Sequence, residues 1–338
     1  MSMPLCPIRL DGPRPNSDEL ANDVRLGLGR RPKHLPSKYF YDARGSHLFE
    51  QICAQPEYYL TRTELAIMRD YAGAIAAVLG PEVLLLEYGS GTGIKTRLLL
   101  EHLQRPAAYM PVELAHDALA ASVAHLHAAL PELEILPVCA DFTQPVSPVQ
   151  PRGRRRRTVV YFPGSTIGNF DGADGVALLR KMRAEMGPNG GALIGIDLKK
   201  DPAVIEAAYN DAAGITAQFT LNLLMRLNRE LGADFDLAAF RHRAIYNRIA
   251  GRIETHLISV RKQDVHVAGI TAHFAAGEAM LVELSCKYAL EDFARLAAEA
   301  GLRVAQMWTD AERLFCVQYL VRDAGVAQAG AQGCDGAR

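Results

Sequence analysis

Short apolar segments alternate with helical segments through the middle of the chain, and this alternation constrains the fold more than any other feature. A strand, a helix and a second strand in succession form a parallel pair with a crossover, so repeated units build a parallel sheet covered by helices. A final apolar pair, VAQMWTD and LFCVQYLV, closes the sheet with an antiparallel last strand. The expected fold class is therefore α/β, with a Rossmann-like seven-stranded sheet. Its other predicted strands are VLLLEY, AAYMPVEL, LEILPVCAD, TVVYFPG and GALIGIDL.

The first of these strands ends in a glycine-rich turn within VLLLEYGSGTGIKT, residues 83–96. Gly89, Gly91 and Gly93 permit positive φ and let a ligand approach the backbone closely. The acid Glu87 disfavours a dinucleotide, whose pyrophosphate binds at the following helix N-terminus. S-adenosylmethionine has no phosphate and carries an ammonium group and a positively charged sulfur. The pattern therefore favours a methyltransferase over a dehydrogenase, although an acid with three glycines also occurs in ordinary strand-to-helix turns.

Further candidate cofactor contacts lie at or near the ends of the predicted strands. Glu113 ends the second strand, where an acid in this fold class grips ribose hydroxyls; it is also a normal helix-start acid. Asp141 and Phe142 end the third strand and suit an exocyclic amine and a purine face, while an Asx turn is the simpler interpretation. Lys95 starts the first helix, within reach of the carboxylate of a cofactor.

The fourth strand ends in FPGSTIGNF, which places Asn169 where a methyl acceptor would bind. Methyl transfer from a sulfonium is an in-line displacement, which mainly needs a lone pair aimed at the methyl carbon. An amide side chain can hold an amine by a hydrogen bond without protonating it. An asparagine that only caps the loop is the alternative.

Composition excludes several other classes of protein. The net charge is −1 with a pI near 6.8, so no overall field attracts nucleic acid. No apolar run approaches the roughly 18 residues of a membrane span. The six cysteines form no CxxC pair, and the ten histidines show no metal-ligand spacing. We expect a cytoplasmic, monomeric protein with no metal and no membrane or nucleic-acid partner. The arginine-rich run at 152–157 is interpreted as a solvated loop.

Helices predicted in 201–232 and hairpins in 241–287 interrupt the strand–helix alternation, which indicates an insertion into the sheet domain. An aromatic-rich, mostly helical segment precedes the sheet, and the small, polar and Gly-rich ends of the chain are expected to fray. The expected domains are an N-terminal substrate-binding segment at 18–61, a methyltransferase core at 62–198, an inserted α+β substrate-binding domain at 199–285, the completion of the core at 286–323 and a flexible tail at 324–338.

Several unusual motifs occur together between about residues 30 and 322. On these motifs the chain resembles the histidine-specific S-adenosylmethionine-dependent methyltransferases, class I enzymes that trimethylate the α-amino group of L-histidine to hercynine in ergothioneine biosynthesis. The motifs are PKHLPSKYFYDARGSHLFEQI, PEYYLTRTE, EYGSGTGIKTRLLL, ADFTQP, PGSTIGNF, AYNDAAGITAQFTLN and VELSCKY.

The resemblance implies roles for individual residues. The cofactor would be bound by Gly89, Lys95, Glu113 (an Asp in the family), Asp141 and Phe142. The substrate L-histidine would be bound by Tyr58, Asn169, Tyr209, Glu283 and Ser285, with Tyr41 and Asn169 at the reacting amine. Tyr41 or a water path is a candidate proton acceptor.

Two positions leave the substrate open. Tyr59, next to Tyr58, makes that assignment ambiguous by one residue. The family has a larger apolar residue near Thr255, in the imidazole pocket, and a threonine there would open or polarise the pocket. Substrate choice is therefore less fixed than reaction type.

Glu283 and Ser285 are the best argument for histidine, because residues two apart on a strand face the same way. A carboxylate accepts a hydrogen bond and a hydroxyl donates one, which matches the two nitrogens of an imidazole. A solvated strand face is the plain alternative. Other functions to weigh are methylation of tryptophan, tyrosine, a histidine derivative or another amino acid, a catalytically inactive scaffold, and nucleic-acid methylation.

Overall fold

The structure, a computed structural model, describes residues 6–10, 17–91, 93–146 and 149–324. The expected tail at 324–338 lies outside the described residues from position 325 onward, as do 1–5 and 11–16 of the expected frayed N-terminus. Within the described residues, no helix is both long enough and apolar enough to cross a bilayer.

The helices and strands are numbered in chain order. The strands are β1 Arg9–Leu10, β2 Lys33–His34, β3 Val83–Tyr88, β4 Ala108–Glu113, β5 Val138–Cys139, β6 Arg157–Phe162, β7 Gly191–Asp197, β8 Phe240–Asn247, β9 Arg252–Ser259, β10 Gln263–Val267, β11 Ile270–Phe274, β12 Ala279–Cys286, β13 Leu302–Thr309 and β14 Phe315–Arg322. The α-helices are α1 Ser17–Gly29, α2 Ala43–Cys53, α3 Tyr59–Leu79, α4 Ile94–Leu100, α5 His116–Ala129, α6 Gly172–Glu185, α7 Pro202–Ala208, α8 Ile215–Leu231 and α9 Leu290–Glu299. Short 3₁₀ turns cover Ser37–Phe40, Thr166–Asn169 and Leu237–Ala239.

The chain divides into two units. The core unit holds the described residues within Met1–Gly12, Glu64–Leu198 and Tyr288–Arg338, and the insertion unit holds those within Pro13–Thr63 and Lys199–Lys287. The boundaries predicted between domains at 61/62, 198/199 and 285/286 lie within two residues of these divisions.

The core unit is built on one sheet with strand order β1-β5-β4-β3-β6-β7-β14-β13. Its strands run parallel except β14, which is antiparallel to both β7 and β13. Every residue of β3 and β7 is buried, as expected for parallel strands covered on both faces. The predicted α/β fold with a seven-stranded sheet and an antiparallel last strand is confirmed, and β1 adds an eighth strand beside β5.

The third predicted strand is much shorter than LEILPVCAD suggests, because only Val138–Cys139 pairs as a strand. Ile135 makes an isolated bridge to Tyr109. Pro137 lies between these two pieces and has no N–H to donate to a ladder, so it interrupts the strand. Its carbonyl instead accepts from the N–H of Arg9 at 2.9 Å, which brings β1 to the sheet.

The insertion unit contains a four-stranded sheet of order β2-β12-β9-β8 and a separate hairpin, β10-β11. Along β9 the residues alternate between partly exposed and buried, the pattern that predicted hairpins from the sequence. Glu283 of β12 pairs in register with Thr255 of β9, and Ser285 pairs with Ile253. A register irregularity separates Leu281 from Glu283 on β12.

The sheet order of the core unit brings the predicted cofactor residues to one edge. β5, β4, β3 and β6 are consecutive neighbours and parallel, so their carboxyl ends meet on the same side. Each is followed there by one of the polar features identified in the sequence. In open α/β sheets this edge, at the carboxyl ends of the strands, is where ligands bind.

Gly190, directly before β7, has no room for a side chain. A Cβ there would lie 2.0 Å from the Met186 carbonyl oxygen and 2.3 Å from that of Thr158, and backbone atoms cannot move away cheaply. We expect Gly190→Ala to lower the free energy of unfolding by about 1–3 kcal/mol or more. Thermal unfolding would measure the loss.

Gly73→Ala is the matched control for this substitution. Gly73 lies inside α3, where the nearest atom to a new Cβ is 3.7 Å away, so alanine should stabilise the helix by about 0.5–1 kcal/mol. Equal melting temperatures for the two variants would contradict the packing seen at Gly190.

Candidate active site

The glycine turn of the core unit has the backbone expected of a ligand cradle. Gly89, Gly91 and Gly93 have φ of 71°, 47° and 70°, in the left-handed region that favours glycine. A Cβ added at Gly89 or Gly91 would meet nothing within 4 Å, so open space adjoins the turn. Thr92, between Gly91 and Gly93, lies outside the described residues. A ligand can thus approach the backbone as the sequence predicted.

Glu113 ends β4 beside this turn. One of its carboxylate oxygens accepts from the backbone N–H groups of Leu114 and Ala115, at 2.9 and 3.2 Å. Burial raises the pKa of Glu113, and hydrogen bonds from these N–H groups and from that of Gly91 oppose the rise. The Gly91 bond ties the acid to the cradle, so the structure brings these two predicted cofactor contacts together.

Lys95 is paired within the core unit. Its ammonium donates to the carboxylate of Glu64, which is 1% exposed. Glu64 also accepts from the N–H of Gly164 at 2.9 and 3.0 Å. The first turn of α4 is thereby joined to the turn after β6. The sequence analysis quoted the motif containing Glu64 but assigned the residue no role, because an acid in a helix shows no distinguishing pattern.

Glu87 faces the interior of the core unit. Its carboxylate accepts from the Thr96 hydroxyl at 2.7 and 2.9 Å and from the Tyr109 hydroxyl. Burial raises the pKa of Glu87 to about 8, so the group is mostly neutral at pH 7. These contacts do not support the interpretation in which its charge faces the cofactor. Glu87 instead ties β3 to β4 and α4.

Asp141 and Phe142 follow β5. Asp141 accepts from the backbone N–H and the hydroxyl of Thr143, at 2.8 and 2.6 Å, which is an Asx turn. The Phe142 ring stacks on Tyr88, with centroids 5.4 Å apart and planes 12° apart. Lys181 lies 4.4 Å from the centroid of the Tyr88 ring. Phe142, the residue expected to contact a purine, is therefore held in place by stacking on Tyr88.

Asn169 ends the 3₁₀ turn after β6. This turn is held by Ser165, which has a φ of 58° and whose hydroxyl oxygen accepts from the Asp197 N–H at 2.9 Å. Asn169 is half-buried, and among the described residues its side-chain amide has no hydrogen-bond partner. The amide is therefore available to a ligand.

The substrate residues predicted in the N-terminal segment belong to an aromatic cluster of the insertion unit. Tyr41 packs edge-on against Phe49 and Phe219, with ring centroids 5.6 and 5.5 Å apart. Tyr58 packs edge-on against Phe49 and Tyr209, at 6.2 Å each. The structure therefore brings Tyr41, Tyr58 and Tyr209 into one cluster, and the sequence analysis missed Phe49 and Phe219 as its linking members.

The structure distinguishes Tyr58 from Tyr59. The Tyr59 hydroxyl accepts from the Lys200 ammonium at 2.7 Å, and that ammonium also lies 4.3 Å from the centroid of the Tyr59 ring. Tyr58 instead lies close enough to Glu283 for the carboxylate to contribute to the raised pKa of the phenol, a rise caused mainly by burial. These contacts favour Tyr58 as the substrate contact.

Glu283 and Ser285 share one face of β12. The Thr255 hydroxyl donates to the Glu283 carboxylate at 3.1 Å, across the register pair of β9 and β12. Burial raises the pKa of Glu283 to about 7, and the Thr255 hydrogen bond and the charge of Lys287 oppose this rise. The threonine identified in the sequence therefore adds a polar contact to the predicted imidazole site.

Ser285 lies in a hydrogen-bonded triangle. Its hydroxyl is 2.8 Å from the Tyr209 hydroxyl, and the Lys287 ammonium donates to both, at 2.9 Å each. The sequence analysis missed Lys287, although it follows Ser285 by two residues and strand alternation would have placed it on the same face.

Comparison with known proteins identifies the family. A family model described as histidine-specific methyltransferase, SAM-dependent, matches residues 20–322. The chain belongs to this family. It is 43% identical over 311 residues to Histidine N-alpha-methyltransferase of Mycolicibacterium smegmatis, which covers 90% of this chain and 96% of that protein. It is 41% identical over 296 residues to the protein of the same name from Mycobacterium tuberculosis, which covers 86% and 91%.

A fungal relative is more distant. The chain is 30% identical over 285 residues to Ergothioneine biosynthesis protein 1 of Neurospora crassa, and the match covers 82% of this chain and 32% of that larger protein.

The match to the family model confirms the family and the S-adenosylmethionine dependence expected from the motifs. The open cradle at Gly89 and Gly91, with Glu113 beside it, fits this cofactor.

Glu113→Gln tests the predicted ribose contact. The amide keeps the shape of the side chain but loses the charged acceptor, so we expect the Kd for S-adenosylmethionine to rise about 10-fold or more. Glu101→Gln is the control, because Glu101 is exposed and pairs only with Arg97 among the described residues. Calorimetric titration would measure both, and an unchanged Kd for Glu113→Gln would contradict the assignment.

Proposed function

We propose that this enzyme transfers three methyl groups from S-adenosylmethionine to the α-amino nitrogen of L-histidine, giving hercynine, the first step of ergothioneine biosynthesis. The observation that carries the proposal is the polar face of β12, where Glu283 is half-buried and Ser285, two residues on, is buried. The two mycobacterial relatives, named Histidine N-alpha-methyltransferase and covered over more than nine-tenths of their length, support it.

An imidazole matches this face better than other amino-acid rings do. A neutral imidazole has one N–H donor and one acceptor nitrogen. The Glu283 carboxylate can accept from the first, and the Ser285 hydroxyl can donate to the second. An indole has only a donor, so it would leave the serine unsatisfied, and a buried polar group without a partner is costly. Thr255, which donates to Glu283, adds polarity that suits an imidazole more than an indole.

Two tyrosines are proposed to contact the substrate: Tyr58 binds its carboxylate, and Tyr209 lies beside it in the same aromatic cluster. The Tyr58 hydroxyl has no hydrogen-bond partner among the described residues, so it can donate to a ligand. The Tyr209 hydroxyl is already bonded to Ser285 and Lys287, so Tyr209 contacts the substrate through its ring. Both phenols belong to the same aromatic cluster, at 6.2 Å between ring centroids.

The amine is proposed to be held by Asn169, with Tyr41 as the group that accepts its proton. When bound, S-adenosylmethionine supplies an electrophilic methyl group on a positively charged sulfur. The Asn169 amide accepts a hydrogen bond from the amine without protonating it, which leaves the nitrogen lone pair free for an in-line attack. Each later methylation requires that the ammonium lose a proton, and Tyr41, at 36% exposure, can pass one to water.

We propose a monomeric cytoplasmic enzyme that acts on small molecules. The charges around the arginine-rich loop argue against a nucleic-acid substrate. In the arginine-rich loop, Arg152 hydrogen-bonds through its N–H to Glu134 at 2.8 Å, and the Arg154 side chain lies 3.8 Å from Glu82. These acids offset part of the positive charge of the loop. The near-zero net charge also gives nucleic acid no attractive field.

An amino-acid panel tests the proposed substrate. Purified enzyme with S-adenosylmethionine and each of the twenty amino acids should add three methyl groups to histidine alone, read by mass spectrometry. Trimethylation of tryptophan or tyrosine in place of histidine would show a different amino-acid specificity. Modification of RNA but of no amino acid would overturn the proposal altogether.

Glu283→Gln tests the imidazole contact through its pH dependence. Since the pKa of Glu283 is about 7, its carboxylate forms as pH rises from 6 to 8, and wild-type affinity for histidine should rise with it. The variant cannot ionise there. We expect the affinity ratio of wild type to variant to reach about 10- to 100-fold at pH 8 and to shrink towards pH 6.

This ratio cancels the ionisation of histidine itself, which is common to both proteins. Glu254→Gln is the matched control, because Glu254 lies on the adjacent strand and is bonded to Asn247 and Arg252. A pH-independent ratio for Glu283→Gln would contradict the assigned role.

Tyr41→Phe tests the proton acceptor. Removing the hydroxyl should leave histidine binding nearly unchanged and slow the second and third transfers most, with the loss largest at low pH, where the ammonium is most populated. A loss of about 10²-fold would match general base catalysis. Single-turnover product analysis would separate the three steps. Wild-type rates for all three across pH would eliminate Tyr41 from this role.

A further inference from the structure

We infer that Lys287 is a positioning residue for ring recognition: its buried ammonium fixes the Ser285 hydroxyl as a hydrogen-bond donor to the imidazole of the substrate. The inference rests on the proposed function, since it concerns how the same site selects its ring. Lys287 itself need not contact the substrate, because it acts through Ser285.

The geometry of the triangle supports this role. Lys287 is 2% exposed, and its ammonium lies 2.9 Å from the Ser285 hydroxyl oxygen and 2.9 Å from that of Tyr209. It also lies 4.7 Å from the centroid of the Tyr209 ring. Lys287 directly follows the end of β12, two residues after Ser285, so continued alternation puts it on the side of the strand that carries Ser285 and Glu283.

The protons available in the triangle determine which group donates and which accepts in each hydrogen bond. An ammonium has only donors, so Lys287 occupies one lone pair of the serine oxygen and one of the tyrosine oxygen. A phenol is a stronger acid than an aliphatic alcohol, so Tyr209 is the better donor of the two hydroxyls and Ser285 the better acceptor. With both lone pairs filled by Lys287 and Tyr209, Ser285 can meet a ligand only through its own O–H.

Replacing Lys287 by an apolar residue would remove this constraint. The Ser285 hydroxyl could then rotate and present either a lone pair or a proton. The site would keep Glu283 as the acceptor for the ring N–H, but it would no longer hold a fixed donor for the other ring nitrogen. A ring without nitrogens would be affected little, because neither contact is made to it.

The same charge acts on Glu283. Among the described residues, the titratable groups that act on this carboxylate include Lys287, just after β12, and Tyr58 from the aromatic cluster, with Tyr209 next to Lys287. Of these, only Lys287 is cationic, and it favours the ionised acceptor. One ammonium thus supports both members of the donor–acceptor pair.

The test compares Lys287→Met with Ser285→Ala and the double variant. Affinities are measured for L-histidine and for L-2-thienylalanine, whose thiophene ring has no nitrogen. We expect Lys287→Met to weaken histidine binding about 10-fold or more and to change thienylalanine binding less than about 3-fold. S-adenosylmethionine affinity should stay at the wild-type value.

The double variant separates positioning from mere packing. At about pH 9, where Glu283 is ionised with or without Lys287, adding Lys287→Met to Ser285→Ala should cost little further histidine affinity if Lys287 acts through Ser285. Additive losses, or equal losses for histidine and thienylalanine, would overturn the inference. In Lys287→Met the pH midpoint of the Glu283-dependent affinity should also move upward, which a packing defect would not cause.

Lys287→Gln covers the case in which the methionine variant does not fold. Its amide keeps an N–H donor for one hydroxyl, so we expect an intermediate loss of discrimination between the two ligands, and full wild-type discrimination would contradict the inference. Failure of wild-type enzyme to bind histidine would overturn the proposed function itself. Wild-type binding with additive variants would overturn only the role of Lys287.

Discussion

The cofactor end of the core unit depends on one buried carboxylate, that of Glu64. It accepts from the Lys95 ammonium and from the Gly164 N–H, so the helix after the glycine turn and the turn before Asn169 share a single anchor. A Cβ at Gly195, in β7, would lie 2.4 Å from the same carboxylate, so the sheet itself leaves room for it. A buried charge is tolerated only when it is paired and hydrogen-bonded, and Glu64 meets both conditions.

Much of the fold could be predicted because local pattern and tertiary role agree in it. Continuous apolar runs such as VLLLEY become fully buried parallel strands, and strict alternation such as that in RIETHLIS becomes a half-buried antiparallel strand. Prediction failed where a single residue overrode the pattern, as Pro137 does in β5. It also failed for β1, since a two-residue strand has too little length to show any period.

In the candidate site too, the positions of residues could be predicted from local pattern, whereas their contacts could not. Strand ends are predictable, so Glu113 and Asn169 could be placed by the alternation alone. Partnerships across the fold are not, because they depend on which distant residue the topology brings near. Glu87 illustrates this: its position was predicted, but Thr96 and Tyr109 turn it inward. Lys287 lay one alternation step beyond a residue already identified, and only the contact with Tyr209 reveals its importance.

The irregularity in β12 explains how one strand serves two purposes. Met280 pairs with Leu257 and Glu283 pairs with Thr255, and these two β9 residues lie two apart on one face. Met280 and Glu283 therefore share that face although they are three apart along β12, because the extra residue shifts the alternation. On this one face, the strand thus places the buried side chain of Met280 before the shift and the ionisable side chain of Glu283 after it. Within this one eight-residue segment, a substitution before the shift would therefore change sheet packing, and one after it would change the proposed imidazole contact.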